Sequence, residues 1–440
     1  MSWNIKYVFL IFFTTVASYM AALLMEKFTQ KKIKKLILII TAILCLGVLF
    51  FFKYFNFVST SITEILSLFT IKLNPIILYL LLPVGISFYT FQTLSYVIDV
   101  YRGKIKAERH FGYYATFISF FPQLVAGPIE RTDNLLPQIK SEHKFNYDQS
   151  TYGLKLMAWG FFKKIVIADT LSQYVSIIYS SPQSFTGFSL VLATLFFTIQ
   201  IYCDFSGYSD IAIGTAKLMG IELMTNFKSP YFSQSIKEFW GRWHISLSTW
   251  FRDYIYIPLG GNRVSKLRHY FNLFITFLAS GLWHGANWTF IVWGGIHGFA
   301  LIMEDLIFGK KKTSKKFFKK LIRVLFVFAF VSVAWIFFVS NSISDAFYII
   351  ANSFKGLSDP IAYFSSGFKD MGLDMLMVFW IIVPIIVLAV FDYFSLTTDV
   401  IISVSHRKKI IRWAIYVVIV LYVILYIQTT GSSEFIYFQF

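Results

Sequence analysis

Two histidines stand in sequence where an ionisable ring needs a reason. His284 lies in SGLWHGANWTFIVWGGIHGF (280–299), and His244 lies forty residues earlier in FWGRWHISLSTWFRDYIYIPLGGNR (239–263). Burial favours a neutral imidazole, the form that takes a proton from a hydroxyl. Positioned general-base catalysis of this kind is worth about 10²- to 10⁴-fold. A structural histidine bonded to a neighbouring helix is the other reading of His284, and an interfacial anchor touching lipid head groups is the other reading of His244. His297, among glycines, reads as structural. No two histidines have the helical spacing of a metal site.

Carboxylates and nucleophiles are candidates as well. QIYCDFSGYSDIAIGTAKLMGI (200–221) places Asp204 and Asp210 in apolar sequence, and intramembrane carboxylates are functional suspects. Six residues apart, they do not share a helical face, which argues against a paired-carboxylate mechanism. Each could pair with an inward Arg or orient an imidazole. Ser206 and Cys203 are conceivable nucleophiles, but no nucleophile-elbow pattern surrounds them. PLGGN (258–262) lacks the Lys-Ser/Thr pair of a phosphate-binding loop.

The elements that position these groups are membrane helices. Of 440 residues, 57% are hydrophobic and 14% charged, and mean hydropathy is +0.63, which excludes a water-soluble fold. Runs at Tyr7–Leu24, Leu36–Phe52, Val324–Phe338, Met375–Val390 and Ile411–Ile427 approach or reach the length that crosses about 30 Å of hydrocarbon. The first reads as an uncleaved span rather than a signal peptide. The net charge of +17 comes largely from short clusters between spans, at Lys27–Lys35, Lys310–Arg323 and Arg407–Arg412. That placement is the positive-inside pattern rather than a nucleic-acid footprint, and it puts both termini outside the cytoplasm. Cys45 and Cys203 form no disulfide framework.

No linker or repeat divides the chain, so one all-α integral membrane domain of about eleven spans or partial spans is expected over residues 1–440, with its catalytic core at about 81–300. Pro83, Gly85, Pro122, Gly127 and Pro128 predict broken or re-entrant segments, which survive in lipid only inside protein or along a wet cavity. Lys237–Arg263 predicts one amphipathic interfacial helix, with Glu238, Arg242, Ser246, Thr249 and Asp253 on one face and Trp240, Trp243, Leu247, Trp250 and Tyr254 on another. The His284 helix is expected to begin near Phe271. Gly281, Gly285, Gly294 and Gly295 predict close backbone approach around it.

The chain resembles the membrane-bound O-acyltransferase superfamily, within it the bacterial polysaccharide-acetylating branch. The motifs that carry the resemblance are FPQLVAGPIER (121–131), YCDFSGYSDIAIG (202–214), FWGRWHISLSTWFRDYIYIPLGGNR (239–263) and GLWHGANWTFIVWGGIHG (281–298), and it extends from LLPVGISFYTFQ to the closing FIYFQF. The resemblance implies a ring of helices around a central tunnel, with re-entrant or interfacial helices. It makes His284 the catalytic residue and His244 a second functional position. Trp283, Asn287, Trp243, Arg242, Arg252, Asp253, Asp204 and Ser206 are then expected along the tunnel or its substrate.

The same resemblance implies acetyl-CoA as donor substrate, no bound cofactor or metal, and a bacterial cytoplasmic membrane location. The acceptor would be an extracellular glycan or a secreted-side SGNH-type acetyltransferase partner. D-alanyl transfer to teichoic acid is the rival within enzymes. A transporter is the rival outside them, and the absence of an inverted repeat argues against it. Where many acetylating members carry Arg after WIFF (335–338), this chain has Val339.

Overall fold

A chain in hydrocarbon must satisfy each backbone N–H and C=O internally, and helices do so locally. A computed structural model of the chain describes residues 6–125, 127–309, 313–314, 316–430 and 435–436, and among them all regular structure is helical. The terminal residues whose side of the membrane was inferred, Ala126 of the FPQLVAGPIER motif, Lys310–Lys312 and Lys315 of the basic cluster, and most of the closing FIYFQF lie outside the described residues.

Among the described residues, seven helices are long and apolar enough to cross a membrane: Tyr7–Lys27, Lys31–Leu68, Phe188–Leu218, Trp288–Phe308, Phe317–Val339, Met375–Ser395 and Lys409–Ile427. Each of the five apolar runs falls within one of them. The other two, Phe188–Leu218 and Trp288–Phe308, are interrupted by the polar residues that drew attention as chemistry. Further helices such as Ile86–Tyr101 and Lys266–His284 are shorter or more polar, and the expected count of about eleven spans or partial spans has seven counterparts of spanning length among the described residues.

The chain forms two compact units, one of residues 1–150 with 215–224 and one of 151–214 with 225–440. In the first, helices Lys6–Lys27, Lys31–Leu49 and Ile86–Tyr101 pack on one another. The expected break is present: residues 71–83 are non-helical, and Gly85, at φ 77°, caps helix Ile86–Tyr101. Glu130 is buried and fastens the loop at Met224, whose N–H it accepts at 2.5 Å, while Asn134 Nδ2 donates to it at 2.6 Å.

The second unit is built on glycine contacts. A Cβ on Gly160 would lie 2.6 Å from the Gly207 carbonyl oxygen, and one on Gly207 would lie 2.8 Å from that of Gly160. This crossing brings the π-helical turn Phe162–Ala168, with Lys163 and Lys164, against the acidic part of Phe188–Leu218. The hairpin of Lys266–His284 and Trp288–Phe308 closes the same way. A Cβ on Gly281 would meet the Phe290 carbonyl oxygen at 2.2 Å, and one on Gly294 would meet that of Phe277 at 2.3 Å.

Two sequence expectations are corrected here. Lys237–Arg263 is not one amphipathic helix: Ile236–Trp240 and Ile245–Phe251 are separate short helices, followed by a π-helical turn at Arg252–Tyr256. The break falls at His244, whose backbone is left-handed at φ 43°, and both short helices bury side chains instead of resting on the surface. The His284 helix begins at Lys266, one and a half turns before Phe271.

Gly281→Ala and Gly294→Ala each push a methyl into backbone, so each should lower the stability of detergent-solubilised protein by about 1–3 kcal/mol. Gly295→Ala, whose Cβ would meet side chains alone at ordinary contact distance, the Leu278 Cδ2 at 3.5 Å and the Phe274 Cζ at 3.9 Å, should unfold at the wild-type temperature. Thermal unfolding followed by circular dichroism separates them.

Candidate active site

His284 is the last residue of its helix. Gly285 turns to an extended backbone at φ −161° and ψ 154°, ending the helix beside the imidazole. Two residues on, Asn287 caps the next helix: its Oδ1 accepts the Thr289 N–H at 3.1 Å and its Nδ2 donates to the Asn341 carbonyl at 2.9 Å. The WHGAN segment is thus a tight corner between two helices locked by Gly281 and Gly294. His284 is buried there among Trp283, Trp293 and Phe338, at ring-centroid distances of 5.0, 5.1 and 5.3 Å.

His244 is fully buried on the other wall. A side chain with a Cβ enters the left-handed region at a cost of about 1–3 kcal/mol and stays only where its surroundings over-determine it. Asn226 supplies that determination. Its carbonyl accepts the Ile245 N–H at 3.0 Å, and its Oδ1 accepts the Ser246 N–H at 3.2 Å and the Ser246 hydroxyl at 2.7 Å. Its own Nδ2 donates to Ser209 Oγ at 3.3 Å. The Lys228 N–H extends the pairing to the Arg242 carbonyl at 2.9 Å.

With the turn pinned, the His244 ring stands edge-on to Phe205 at 4.5 Å and 6.3 Å from the ring of His284. Two imidazoles forty residues apart in sequence therefore share one buried space. Burial pushes the His244 pKa well below its ordinary range, and the neighbouring His284 adds to the shift. Both effects favour the neutral ring.

The remaining sequence candidates divide. Trp243 is buried in an aromatic cluster with Phe227 and Trp335, each at 5.0 Å, directly behind His244. Arg242 pairs with Glu238 at 2.7 Å, and Arg252 pairs with Asp253 at 2.7 Å near the surface. The aspartates, for which an arginine or an imidazole was weighed as partner, pair with lysine: Lys163 reaches the partly buried Asp210 at 2.7 Å, and Lys164 bridges the buried Asp204 and Asp169 at 2.6 and 2.8 Å. Ser206 accepts from Lys163 Nζ at 2.9 Å. Trp240 Nε1 donates to His297 Nδ1 at 3.3 Å, so the neutral ring of His297 carries its proton on Nε2. Among the described residues, no group of three or more His, Cys, Asp or Glu side chains is placed to share a metal ion.

Two cavities have lining residues that lie a helical turn from the histidines or adjoin residues packed on them, and neither lining includes His244 or His284. One of about 610 Å³ is lined by Lys237, Trp240, Ser248, Arg252, Tyr256, Asn262, His269, Phe277, Ser280 and Asp305 among others. Ser280 lies one helical turn before His284, and Ser248 one turn after His244. The other, of about 350 Å³, is lined by hydroxyls and amides of Ser172, Ser176, Tyr179, Gln200 and Asn341, with Asp169, Asp204 and Val339. Asp204 adjoins Phe205, which packs on His244, and Val339 adjoins Phe338, which packs on His284.

Sequence reasoning passed over Asn226, Lys163 and Lys164. The lysines could have been found as the only basic pair inside an otherwise apolar stretch, 156–168. Asn226 carried no such signal, because its partners, the Ile245 and Ser246 N–H groups and the Ser246 and Ser209 hydroxyls, lie 17 to 20 residues away in the chain.

Residues 107–344 match the family described as MBOAT, membrane-bound O-acyltransferase family. A probable alginate O-acetylase, AlgI, of Pseudomonas putida is 45% identical over 302 residues, 68% of this chain and 61% of that protein. The probable alginate O-acetylase AlgI of Azotobacter vinelandii is 41% identical over 356 residues, 80% of this chain and 70% of its own length. A peptidoglycan O-acetyltransferase of Helicobacter pylori is 36% identical over 374 residues, 79% of this chain and 70% of that protein. The chain thus spans about three fifths of the first of these relatives.

Two outcomes follow from the geometry. Asn226→Ala leaves the Ser246 N–H and hydroxyl without their acceptor, which should cost about 1–3 kcal/mol in chemical or thermal unfolding. The second concerns pH. The folded pKa of His244 lies below the unfolded value of about 6.5, so on acidification the unfolded chain takes up the proton first. Stability from the neutral ring is complete above about pH 6.5 and is lost as pH falls toward the folded value. Unfolding temperatures recorded from about pH 8 to about pH 5 should therefore drop less steeply for His244→Gln than for wild type. Parallel curves would contradict the neutral ring.

Proposed function

Because the chain belongs to the membrane-bound O-acyltransferase family, we propose that it transfers an acetyl group from cytoplasmic acetyl-CoA, across the membrane, to a hydroxyl of an extracellular or cell-wall polysaccharide. The observation that carries this reading is the meeting of His284 and His244 in one buried space, their ring centroids 6.3 Å apart.

The sidedness follows from charge. Asp305 lines the larger cavity near the end of helix Trp288–Phe308, and the basic stretch 310–323 comes directly after it. Positive-inside placement puts that end in the cytoplasm. Asn341, at the far end of the next span, lines the smaller cavity, which then faces outward. The larger cavity is the donor side. Lys237 and Arg252 at its wall suit the phosphates of a coenzyme thioester, and Trp240 and Phe277 suit its apolar arm. The smaller cavity, walled by hydroxyl, amide and carboxylate groups, suits a hydroxyl-bearing acceptor, either the glycan itself or a secreted-side SGNH-type acetyltransferase that passes the group on. The protein then resides in the bacterial cytoplasmic membrane as a multi-pass enzyme with both termini outside.

At the junction, neutral His284 takes the proton of the acceptor hydroxyl as its oxygen attacks the thioester carbonyl. The C–S bond breaks, the ester C–O bond forms, and the coenzyme thiolate recovers the proton from the imidazolium. His244, also neutral, offers a ring N–H to the oxygen that gains charge in the tetrahedral intermediate. Exclusion of water by the surrounding tryptophans keeps the acetyl group from hydrolysis.

The test uses protein reconstituted in proteoliposomes with labelled acetyl-CoA and an acetylatable oligosaccharide or acceptor protein. Wild type should move label to the acceptor, and His284→Ala should lose about 10²- to 10⁴-fold. Full activity in His284→Ala would overturn the assignment of the base. Transfer only from a D-alanyl-loaded carrier protein would overturn the donor.

A further inference from the structure

Away from both histidines, a third cavity of about 470 Å³ opens between helices Trp288–Phe308 and Phe317–Val339. Its lining is almost wholly apolar: Phe299, Ile307, Phe308, Ile322 and Phe326 form the walls and are exposed, and Val327 is buried. Both helices are long and apolar enough to span, so these exposed walls meet lipid rather than water. Glu304 is held inside, its carboxylate accepting the Ile236 N–H at 2.5 Å. The cavity carries cation at one end. Arg323 is part of its wall and lies over the Phe308 ring, 5.7 Å from the centroid.

The sequence concentrates charge at that end. Between Lys310 and Arg323 stand eight Lys or Arg residues and no Asp or Glu, the densest basic stretch in the chain. Lys319 and Lys320 lie four and three residues before Arg323 on one helix and so share its side. An apolar slot open to the bilayer with a cationic rim at head-group level has the two halves that an anionic phospholipid needs.

We propose that this cavity binds an anionic phospholipid, with an acyl chain between the two helices and its phosphate on Arg323, Lys319 and Lys320. The site is distinct from the catalytic space and does not depend on the acyltransferase reading. Each cation near the head group contributes roughly a fivefold preference for an anionic lipid.

Native mass spectrometry of the delipidated full chain, titrated with phosphatidylglycerol or phosphatidylcholine, tests the proposal. Wild type should retain phosphatidylglycerol with at least roughly fivefold higher affinity than phosphatidylcholine. Arg323→Gln, at a partly exposed position, should lower phosphatidylglycerol affinity by about fivefold and leave phosphatidylcholine unchanged. Ala300→Phe, which fills the slot, should weaken both lipids. Equal retention of the two lipids by wild type, or unchanged phosphatidylglycerol binding in Arg323→Gln, would overturn it.

Discussion

A left-handed backbone at a residue with a side chain is unfavourable by about 1–3 kcal/mol, and the candidate site depends on one. His244 holds that conformation because Asn226 takes up three hydrogens from the residues just after it. The turn separates helices Ile236–Trp240 and Ile245–Phe251. With it, the ring faces Phe205 and His284 from the interior. A local cost in backbone energy is thus offset by a buried hydrogen-bond network, and the return is the placement of one side chain.

The partner histidine is placed by a different kind of constraint. Gly281 and Gly294 allow two helices to approach until backbone nearly touches backbone, and in lipid such packing contributes most of the association between helices. The corner that follows has no freedom, since Gly285 ends one helix and Asn287 caps the next. The His284 ring is therefore set by packing, and the His244 ring by hydrogen bonds. Lys163 and Lys164 complete the second unit by neutralising Asp210, Asp204 and Asp169. Unpaired, those carboxylates would be costly in an apolar interior.

Much of the fold was legible. Five apolar runs read as spans coincide with helices, and Gly281 and Gly294 mark a close backbone approach because only hydrogen fits there, whereas Gly295, expected to do the same, has room for a methyl. The membrane-bound O-acyltransferase family was legible from four motifs, and residues 107–344 match it. What periodicity could not show was the interruption at His244. A helical pattern assumes that successive residues keep right-handed angles, and nothing about a histidine signals otherwise. The cause lies in Asn226, whose contacts are tertiary. For the same reason the aspartates, weighed as partners of an arginine or an imidazole, were found on lysine. Residue spacing along one helix says which groups share a face, and it does not say which groups a neighbouring helix presents.

The account's central claim is that His284 and His244 act on one reacting centre as a unit, and a double-mutant cycle on acetyl transfer measures this most directly. Residues that work together lose activity non-additively. His284→Ala and His244→Ala should each slow transfer strongly, and the double variant should be scarcely slower than the worse of the two. Multiplication of the two losses in the double variant would mean that the rings act independently, and the shared site described here would be contradicted.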